Sequence, residues 1–262
     1  SLNRRLKENS QYENLKEIAI ECSKNISNNN HFIFENKQIE LNKENKAILT
    51  LSDIHYGLEI NDFNNKYNPD ICKRRFENLK ENIINDLDRH NIKELYILGL
   101  GDMIEGIIHN INRIESRENI ISQIINISEL LSQFIYELSK KYIIYYYDVI
   151  DNHSRVFPKY DENSNKDNFS LLIKWYLKTR FDKSNNVFII DNPIDESIGT
   201  IEIFNKNYCF VHGNMDKIDN IVQNISLMTK KFYEAMFIGH LHHFEANEVH
   251  GTYVYMNGTF AG

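Results

Sequence analysis

The stretch FIGHLHH, from Phe237 to His243, places three histidines within four positions of a chain that has only ten. The apolar residues before Gly239 are typical of the end of a buried strand. Residues two apart in an extended backbone point to the same side, so we expect His240 and His242 to face one site and His243 to point away. Taken alone, the cluster fits a metal site and hydrogen-bonded histidines equally well.

Other candidate ligands also follow apolar β-runs. They are Asp53 and His55 in LTLSDIHYG, Asp102 in LGLGD, Asn152 and His153 in YYYDVIDNH, and His212 in CFVHG. Strand ends of this kind meet at the carboxyl edge of an α/β sheet, where such proteins usually build their sites. Each residue alone also fits a turn or a helix cap, but their joint occurrence in this order favours one shared site.

The apolar pattern of the chain predicts an α/β protein. Helices are predicted at 71–90 and 116–141, where apolar residues recur at helical spacing, and again in NFSLLIKWYLKTRF. Strands alternate with these helices in the first half, and short strands dominate the second half. This arrangement favours an α/β sandwich over a doubly wound sheet.

In this order, the motifs DIH, GD, NH, VHG and GHLH resemble those of the calcineurin-like metallophosphoesterases, from about Ala47 to Gly258. The resemblance implies a four-layer αββα sandwich of two mixed β-sheets flanked by helices. We predict a metallophosphoesterase domain at 31–262, beginning with a hairpin formed by HFIF and IEL. A polar, partly helical extension at 1–30, with a helix around Tyr12 to Cys22, would precede it.

The resemblance also implies two divalent metal ions, with manganese expected and iron or zinc as alternatives. The first ion would be held by Asp53, His55, Asp102 and His242, and the second by Asp102, Asn152, His212 and His240. Asp102 would bridge the two ions. Carboxylate, amide and imidazole ligands suit these metals.

In the family, the two ions generate a bridging hydroxide that attacks phosphorus. His153 would stabilise the reacting phosphoryl group and protonate the leaving oxygen. The chain departs from the family pattern here, because Asp151 replaces a glycine and Ser154 replaces the carboxylate that usually follows the histidine. Another group must therefore orient His153, or the protonation step is weaker.

The segments GDMIEGIIH, YNPDICKRRF and NHSR resemble phage or prophage proteins related to SbcD-type DNA-repair exonucleases. The resemblance favours a DNA nuclease, with Arg155 and His109 as candidate substrate-binding residues. Further candidate phosphate contacts are Lys73, Arg74, Arg75 and Lys159. These basic residues equally fit solvated faces, and His109 equally fits a helix end or the core.

Two other functions remain open. One is a phosphatase or phosphodiesterase acting on a small-molecule or protein substrate, and the other is a non-catalytic scaffold of the same fold. Besides DNA, the expected partner is a second copy of the chain, paired through the helices at 71–90 and 116–141. The alternative is that both helices simply pack on the sheets.

Composition limits these readings. The net charge of −7 over 262 residues disfavours a broad nucleic-acid-binding face, although bound cations and local basic residues could still attract phosphates. No apolar run is long enough for a membrane-spanning helix. Three widely spaced cysteines, Cys22, Cys72 and Cys209, indicate a reducing compartment, and no signal peptide is evident, so we expect a cytoplasmic protein.

Overall fold

Two β-sheets pack face to face, and helices cover the outer face of each. The computed structural model describes residues 45–109, 116–215 and 218–262, together with residues 17, 18, 20–22, 24, 32–34, 39 and 41. The predicted four-layer αββα sandwich is confirmed.

The chain forms eleven described strands and four described α-helices. The strands are β1 (Ala47–Leu51), β2 (Ile60–Asn61), β3 (Lys66–Tyr67), β4 (Glu94–Gly99), β5 (Ile143–Asp148), β6 (Val187–Ile189), β7 (Ile198–Ile203), β8 (Lys206–Val211), β9 (Ala235–Ile238), β10 (Glu245–Val249) and β11 (Thr252–Met256). The helices are α1 (Pro69–Arg89), α2 (Ile120–Ser139), α3 (Ser170–Arg180) and α4 (Ile218–Thr229), and a short 3₁₀ helix spans Tyr160–Glu162.

The two sheets differ in strand direction. The first has the order β1-β4-β5-β6, and its described strands are all parallel. The second has the order β10-β11-β9-β8-β7, in which β8, β9 and β11 are parallel while β7 and β10 are antiparallel edge strands. The carboxyl ends of β1, β4 and β5 and those of β8 and β9 therefore lie at the same end of their own sheets.

The predicted helices form within a few residues of the expected bounds. Helix α1 begins at Pro69 because the Asn68 side chain accepts a hydrogen bond from Ile71 N at 2.9 Å and proline is favoured in the first turn. Helix α2 begins after Asn119, which caps Ser122 N in the same way. The apolar stripe of α2 is buried against the first sheet and its neighbouring helices, so the chain itself covers it.

Helix α4 is absent from the sequence prediction, which assigns mainly strands to this half of the chain. Its buried residues Ile221, Val222 and Ile225 follow helical spacing and pack on the outer face of the second sheet. They are all β-branched, and such residues have higher strand than helix propensity. Tertiary packing against the sheet outweighs that preference.

Between the sheets lies a separate aromatic and aliphatic layer. Leu98, Val149, Ile201 and Phe210 are buried in it, with tyrosines of β5 packed at its margin. Along β5 the side chains alternate, so that Tyr146 faces the helices while Tyr145 and Tyr147 face the second sheet. This layer fixes the distance between the two sheets and therefore between the loops at their ends.

The described residues near the amino terminus contact the main core. Glu17, Ile18, Ile20, Glu21, Cys22 and Lys24 are helical, and Ile18 and Cys22 are buried with the residues of the first sheet and its helices. The rest of the helix predicted around Tyr12 to Cys22 lies outside the described residues. HFIF and IEL were predicted to form a hairpin, but their described residues, 32–34, 39 and 41, are not in strands. The domain boundary near residue 30 stays a prediction.

Across the described residues, we find no helix that combines the length and apolar character needed to cross a bilayer. All three cysteines are free and buried.

A buried ion pair on α3 gives a direct test of how the first sheet is held. Lys174 Nζ lies 2.9 Å from Asp148 Oδ1, and the two side chains are 5% and 10% exposed. We expect Lys174→Met to lower the free energy of unfolding by about 3 kcal/mol, because the buried carboxylate loses its partner. Lys178→Met, one turn later in an exposed pair with Asp191, is the matched control and should cost about 1 kcal/mol or less. Urea unfolding of both variants measures the difference, and equal losses would contradict the structural role of Lys174.

Candidate metal centre

The seven predicted ligands lie on five loops, and each loop directly follows a strand. Asp53 and His55 follow β1, Asp102 follows β4, Asn152 follows β5, His212 follows β8, and His240 and His242 follow β9. The structure brings all of them to one edge of the sandwich, where the ends of the two sheets meet. Three of the five loops come from the first sheet and two from the second.

The backbone reaches this arrangement in a way that strand alternation does not explain. Asp53, His55, Asp102, His240 and His242 all have positive φ angles, between 47° and 69°. These residues lie beyond the strand ends and have left-handed backbone conformations. We expected His240 and His242 to face one site because of an extended backbone, and that explanation is wrong. The histidines do turn toward one site, and each such position costs roughly 1–3 kcal/mol of local strain.

Paired loops hold these strained residues in place. Asp53 N donates to Gly101 O at 3.1 Å and His55 N donates to Asp102 O at 2.9 Å, which joins the loops after β1 and β4. His240 N donates to both carboxylate oxygens of Asp53 at 3.1 Å, which joins the two sheets. A Cβ on Gly239 would lie 3.0 Å from Leu100 O, so only glycine fits this crossing without a shift.

One group of ligand atoms combines Asp53, His55, Asp102 and His242, whose donor atoms all lie within 4.8 Å of one another. Nε2 of His55 is 3.1 Å from Nε2 of His242, and the latter is 3.2 Å from Asp53 Oδ1. The first three side chains are buried, whereas that of His242 is 47% exposed. The group therefore opens to solvent on the side of His242.

A second group combines Asp102, His212 and His240, whose donor atoms also lie within 4.8 Å of one another. Asn152 joins it, because its Oδ1 lies 2.8 Å from His212 Nε2. The His212 and His240 rings are 4.9 Å apart. The residues of each predicted ligand set thus lie close together, and the two groups share Asp102.

The hydrogen bonds around the rings indicate where the lone pairs point. His55 Nδ1 lies 3.0 Å from Glu105 Oε2, and His212 Nδ1 lies 2.8 Å from Leu100 O. Acceptors at both Nδ1 atoms require the N–H there, so in neutral rings each Nε2 carries a lone pair. These lone pairs face the oxygens of Asp102 and Asn152. Positive charge between these atoms stabilises them, and either a proton on His212 Nε2 or a divalent cation provides that charge.

The buried Asp102 carboxylate supports the same conclusion. Asp102 Oδ2 is 3.4 Å from His212 Nε2 and 3.7 Å from His55 Nε2, yet it accepts no hydrogen bond from any residue that the structure describes. Burial opposes the charged form of His212, but the Asp102 carboxylate more than offsets this and raises the pKa of His212 to about 9. Despite its own burial, Asp102 has a pKa held well below the usual range by His212 and the neighbouring imidazoles. The donor set fits a divalent metal site.

The sequence analysis missed Glu105, which orients two histidines. Besides its carboxylate contact with His55, its backbone oxygen accepts a hydrogen bond from His153 Nδ1 at 2.8 Å, and its Oε2 lies 3.7 Å from the same nitrogen. Glu105 is buried and follows Asp102 by three positions in GDMIEG. Its position in that motif, close to Asp102, is the sequence feature that could have identified it as a site residue.

Asp151 and Ser154, the two departures from the family motif, form a bonded pair. Ser154 N donates to Asp151 Oδ1 at 2.6 Å, and Ser154 Oγ donates to Asp151 Oδ2 at 2.9 Å. Burial, with Asp102 nearby, raises the pKa of Asp151 to about 7. The pair closes a turn around Asn152 and His153, so it fixes the loop although it gives no carboxylate to the histidine ring.

The predicted substrate-binding residues differ in their distance from the site and in their contacts. The ring of His109 lies 5.2 Å from that of His153, so this exposed residue borders the site. Arg155 Nη2 donates to Pro158 O at 3.3 Å. Arg75 donates to Phe260 O and lies over the Tyr67 ring, so its guanidinium anchors the segment after β11.

The remaining predicted side chains lie at the surface. Lys73, Arg74 and Lys159 are exposed or partly exposed, and Lys159 lies 3.7 Å from Glu162. His243 is exposed and contacts Leu241 O and Glu245, outside the ligand groups, as its position in the sequence predicts.

Comparison with known proteins gives limited similarity. No family model matches the chain. The SPbeta prophage-derived uncharacterized protein YonJ of Bacillus subtilis (strain 168) is 26% identical over 212 residues, which cover 78% of this chain and 52% of that protein. The chain thus spans about half the length of this curated relative.

Solved structures with a similar arrangement include a novel archaeal phosphodiesterase, with a TM-score of 0.40 and 13% identity over 82% of this chain and 85% of that one. Vps29 complexed with Zn²⁺ from Entamoeba histolytica has a TM-score of 0.36 and 12% identity over 82% and 75%. A putative 5'-nucleotidase from Staphylococcus aureus has a TM-score of 0.38 and 14% identity over 81% and 48%. At this level, the neighbours say nothing about what this chain binds or hydrolyses.

Adjacent histidines provide a matched test of the centre. We expect His242→Ala to weaken divalent-metal binding at least about tenfold, because a ligand nitrogen is lost, and Asp102→Asn to weaken both sites. His243→Ala should leave metal binding unchanged, because that ring lies outside the ligand groups. Elemental analysis and calorimetric titration with Mn²⁺ measure both effects. If His242→Ala binds metal as tightly as His243→Ala, His242 does not belong to the centre.

Proposed function

We propose that the chain is a metal-dependent phosphoester hydrolase. The observation that carries this proposal is the convergence of six side chains from both sheets on the buried Asp102 carboxylate, with His153 beside them. A site built only for stability gains little from five strained backbone positions. Strain of this kind clusters at functional sites, which supports a catalytic centre.

We propose two divalent ions at this centre, with manganese as the expected metal. Asp53, His55, Asp102 and His242 would hold the first ion, and Asp102, Asn152, His212 and His240 the second. Ions so bound supply Lewis-acid activation of water and of the phosphoryl oxygens. Mixed oxygen and imidazole donors suit manganese, iron or zinc.

His153 is the proposed proton donor to the leaving oxygen. Its Nδ1 is bound to Glu105 O, so the ring is held in one orientation and Nε2 is the nitrogen available to a substrate. Burial lowers the pKa of His153, although Asp102 opposes this shift. A lowered pKa makes the imidazolium a stronger acid, and the protonated fraction is lost as pH rises through that value.

We propose DNA as the substrate, cleaved at a phosphodiester bond. In this proposal the strand contacts His242, whose side chain is 47% exposed, and His109, whose exposed ring lies 5.2 Å from that of His153. Lys73 and Arg74 offer exposed positive charge on α1.

A phosphatase or phosphodiesterase acting on a small substrate is the second candidate. The net charge of −7 favours this candidate, because it repels DNA. The guanidinium groups of Arg75 and Arg155 also donate to backbone oxygens of the chain, so they are partly occupied by contacts within the protein. Small phosphoesters need fewer backbone contacts than DNA does.

Replacement of His153 separates chemistry from metal binding. We expect His153→Ala to lower turnover of a chromogenic phosphodiester by about 10²–10⁴-fold, the usual contribution of a general acid, while metal content stays unchanged. Steady-state kinetics and elemental analysis of the same preparation measure both. Loss of metal together with activity would make His153 a ligand instead of an acid.

The choice between DNA and a small substrate is tested with Arg155→Ala. If Arg155 contacts the DNA backbone, cleavage of single-stranded DNA should fall by roughly 10- to 100-fold, as expected for a charged hydrogen bond, and more than hydrolysis of the small phosphodiester. Lys183→Ala is the control. The amino end of α3 lies next to the loop of Asn152 and His153, because Asn168 donates to Asp151 O there. Lys183 lies at the other end of the helix, just beyond its carboxyl end.

The assay uses Mn²⁺-loaded protein with single-stranded DNA, duplex DNA and the small ester at low and physiological salt, since phosphate contacts weaken as salt rises. Equal losses on both substrates would remove Arg155 as a DNA contact. Robust phosphomonoesterase activity without cleavage of either DNA would favour the second candidate.

A further inference from the structure

A cavity of about 110 Å³ lies beside the second ligand group, between the end of β8, the start of β7 and helix α4. We will call it the α4 cavity. Its lining residues are Ile150, Ser197, Ile198, Val211, His212, Gly213, Asn214, Met215, Ile221, Asn224, Ile225 and Met228. None of these residues except His212 has a part in the proposed chemistry.

The α4 cavity shares one wall residue with the candidate metal centre. His212 contributes to both, since it lines the cavity while its Nε2 lies 2.8 Å from Asn152 Oδ1 and 3.4 Å from Asp102 Oδ2. Ile150, on the opposite wall, directly precedes the loop that carries Asn152 and His153. A phosphoester bound at the centre would therefore place one of its organic groups next to this opening.

The size of the α4 cavity suits a single ring. Cavities that hold drug-sized ligands measure about 300–1,000 Å³, so this one is too small for a whole nucleotide. An apolar cavity of about 150 Å³ holds one benzene molecule. A space of about 110 Å³ that opens at its mouth is closer in size to one such ring than to a fused pair of rings.

The lining matches an aromatic ring with polar edges. Ile198, Val211 and Ile225 form apolar walls, and the exposed thioethers of Met215 and Met228 lie where they can contact a ring, as sulfur does favourably. Asn214 adds an amide group with donor and acceptor atoms. Amides of this kind pair with the polar edges of nucleobases.

We propose that the α4 cavity binds one pyrimidine base of the substrate, next to the phosphate that is cleaved. This inference rests on the proposed phosphoester hydrolysis and narrows its substrate to pyrimidine-containing nucleotides or DNA. The base enters between the methionine side chains, and Asn214 contacts its edge. A purine fills the same position less well.

Methionine methyl signals report directly on this cavity. The protein, loaded with diamagnetic Zn²⁺ and labelled with ¹³C at the methionine methyl groups, is titrated with thymidine, with deoxyadenosine and with deoxyribose. Thymidine should shift the signals of Met215 and Met228, while those of the buried Met103 and Met256 remain as internal references. Deoxyribose should shift neither of the first two, and deoxyadenosine should need at least about tenfold more ligand than thymidine. Equal responses to the three compounds would overturn the proposal.

Neighbouring residues of α4 supply matched variants. Met228→Lys should weaken thymidine binding at least about tenfold, with Met215 as the remaining reporter. Leu227→Lys should not, because Leu227 is 69% exposed and outside the cavity. Equal effects of both substitutions would overturn the assignment to this cavity.

The outcome is separable from that of the proposed function, because thymidine carries no phosphoester. Thymidine binding in the cavity by a protein that hydrolyses no phosphoester would support the base site and reject the hydrolase. Phosphodiester hydrolysis without any thymidine-dependent shift of Met215 and Met228 would overturn the base site and leave the hydrolase standing.

Discussion

The buried carboxylate of Asp102, placed between imidazoles from both sheets, is the constraint on which the rest of the site depends. Its side chain has no exposed surface, and it faces His55 from the first sheet and His212 from the second. A buried anion between two imidazoles is stabilised by positive charge, which a protonated ring or a bound divalent cation provides. The two sheets must pack at the distance that brings His55 and His212 to Asp102. The packing of the sandwich and the binding of a cation are therefore linked.

Strain and hydrogen bonding balance each other around this carboxylate. Residues in the left-handed region would be unfavourable in an isolated loop, yet here the loops after β1 and β4 bond to each other. Asn257 extends this network, because it donates to Ser52 Oγ and accepts from Thr50 Oγ1. Thr259 then donates to Asp53 O. The segment after β11 therefore supports the first ligand loop from the side of the second sheet.

The unusual sequence around His153 has a structural counterpart. No carboxylate follows this histidine in the sequence. Instead, the backbone oxygen of Glu105, from another loop, accepts a hydrogen bond from His153 Nδ1. The Asp151 and Ser154 pair then fixes the turn by two hydrogen bonds. Two substitutions that look unfavourable when read separately are complementary in the folded chain, since each provides the partner of the other.

The sequence by itself determined which residues could form the site and on which kind of element each would lie. The apolar runs before Asp53, Asp102 and His212 predict strands, because these signals are local. The four-layer sandwich was implied by the resemblance of the ordered motifs to those of a known family. Helix α4 escaped prediction, since Ile221, Val222 and Ile225 favour strands until a sheet is there to pack against. Only the tertiary structure decided that Glu105 would serve His55 and His153, that Arg75 would bind Phe260 O, and that the ligands would converge through left-handed turns. Contacts between residues far apart in the chain depend on how the sheets meet, and no local pattern encodes that distance.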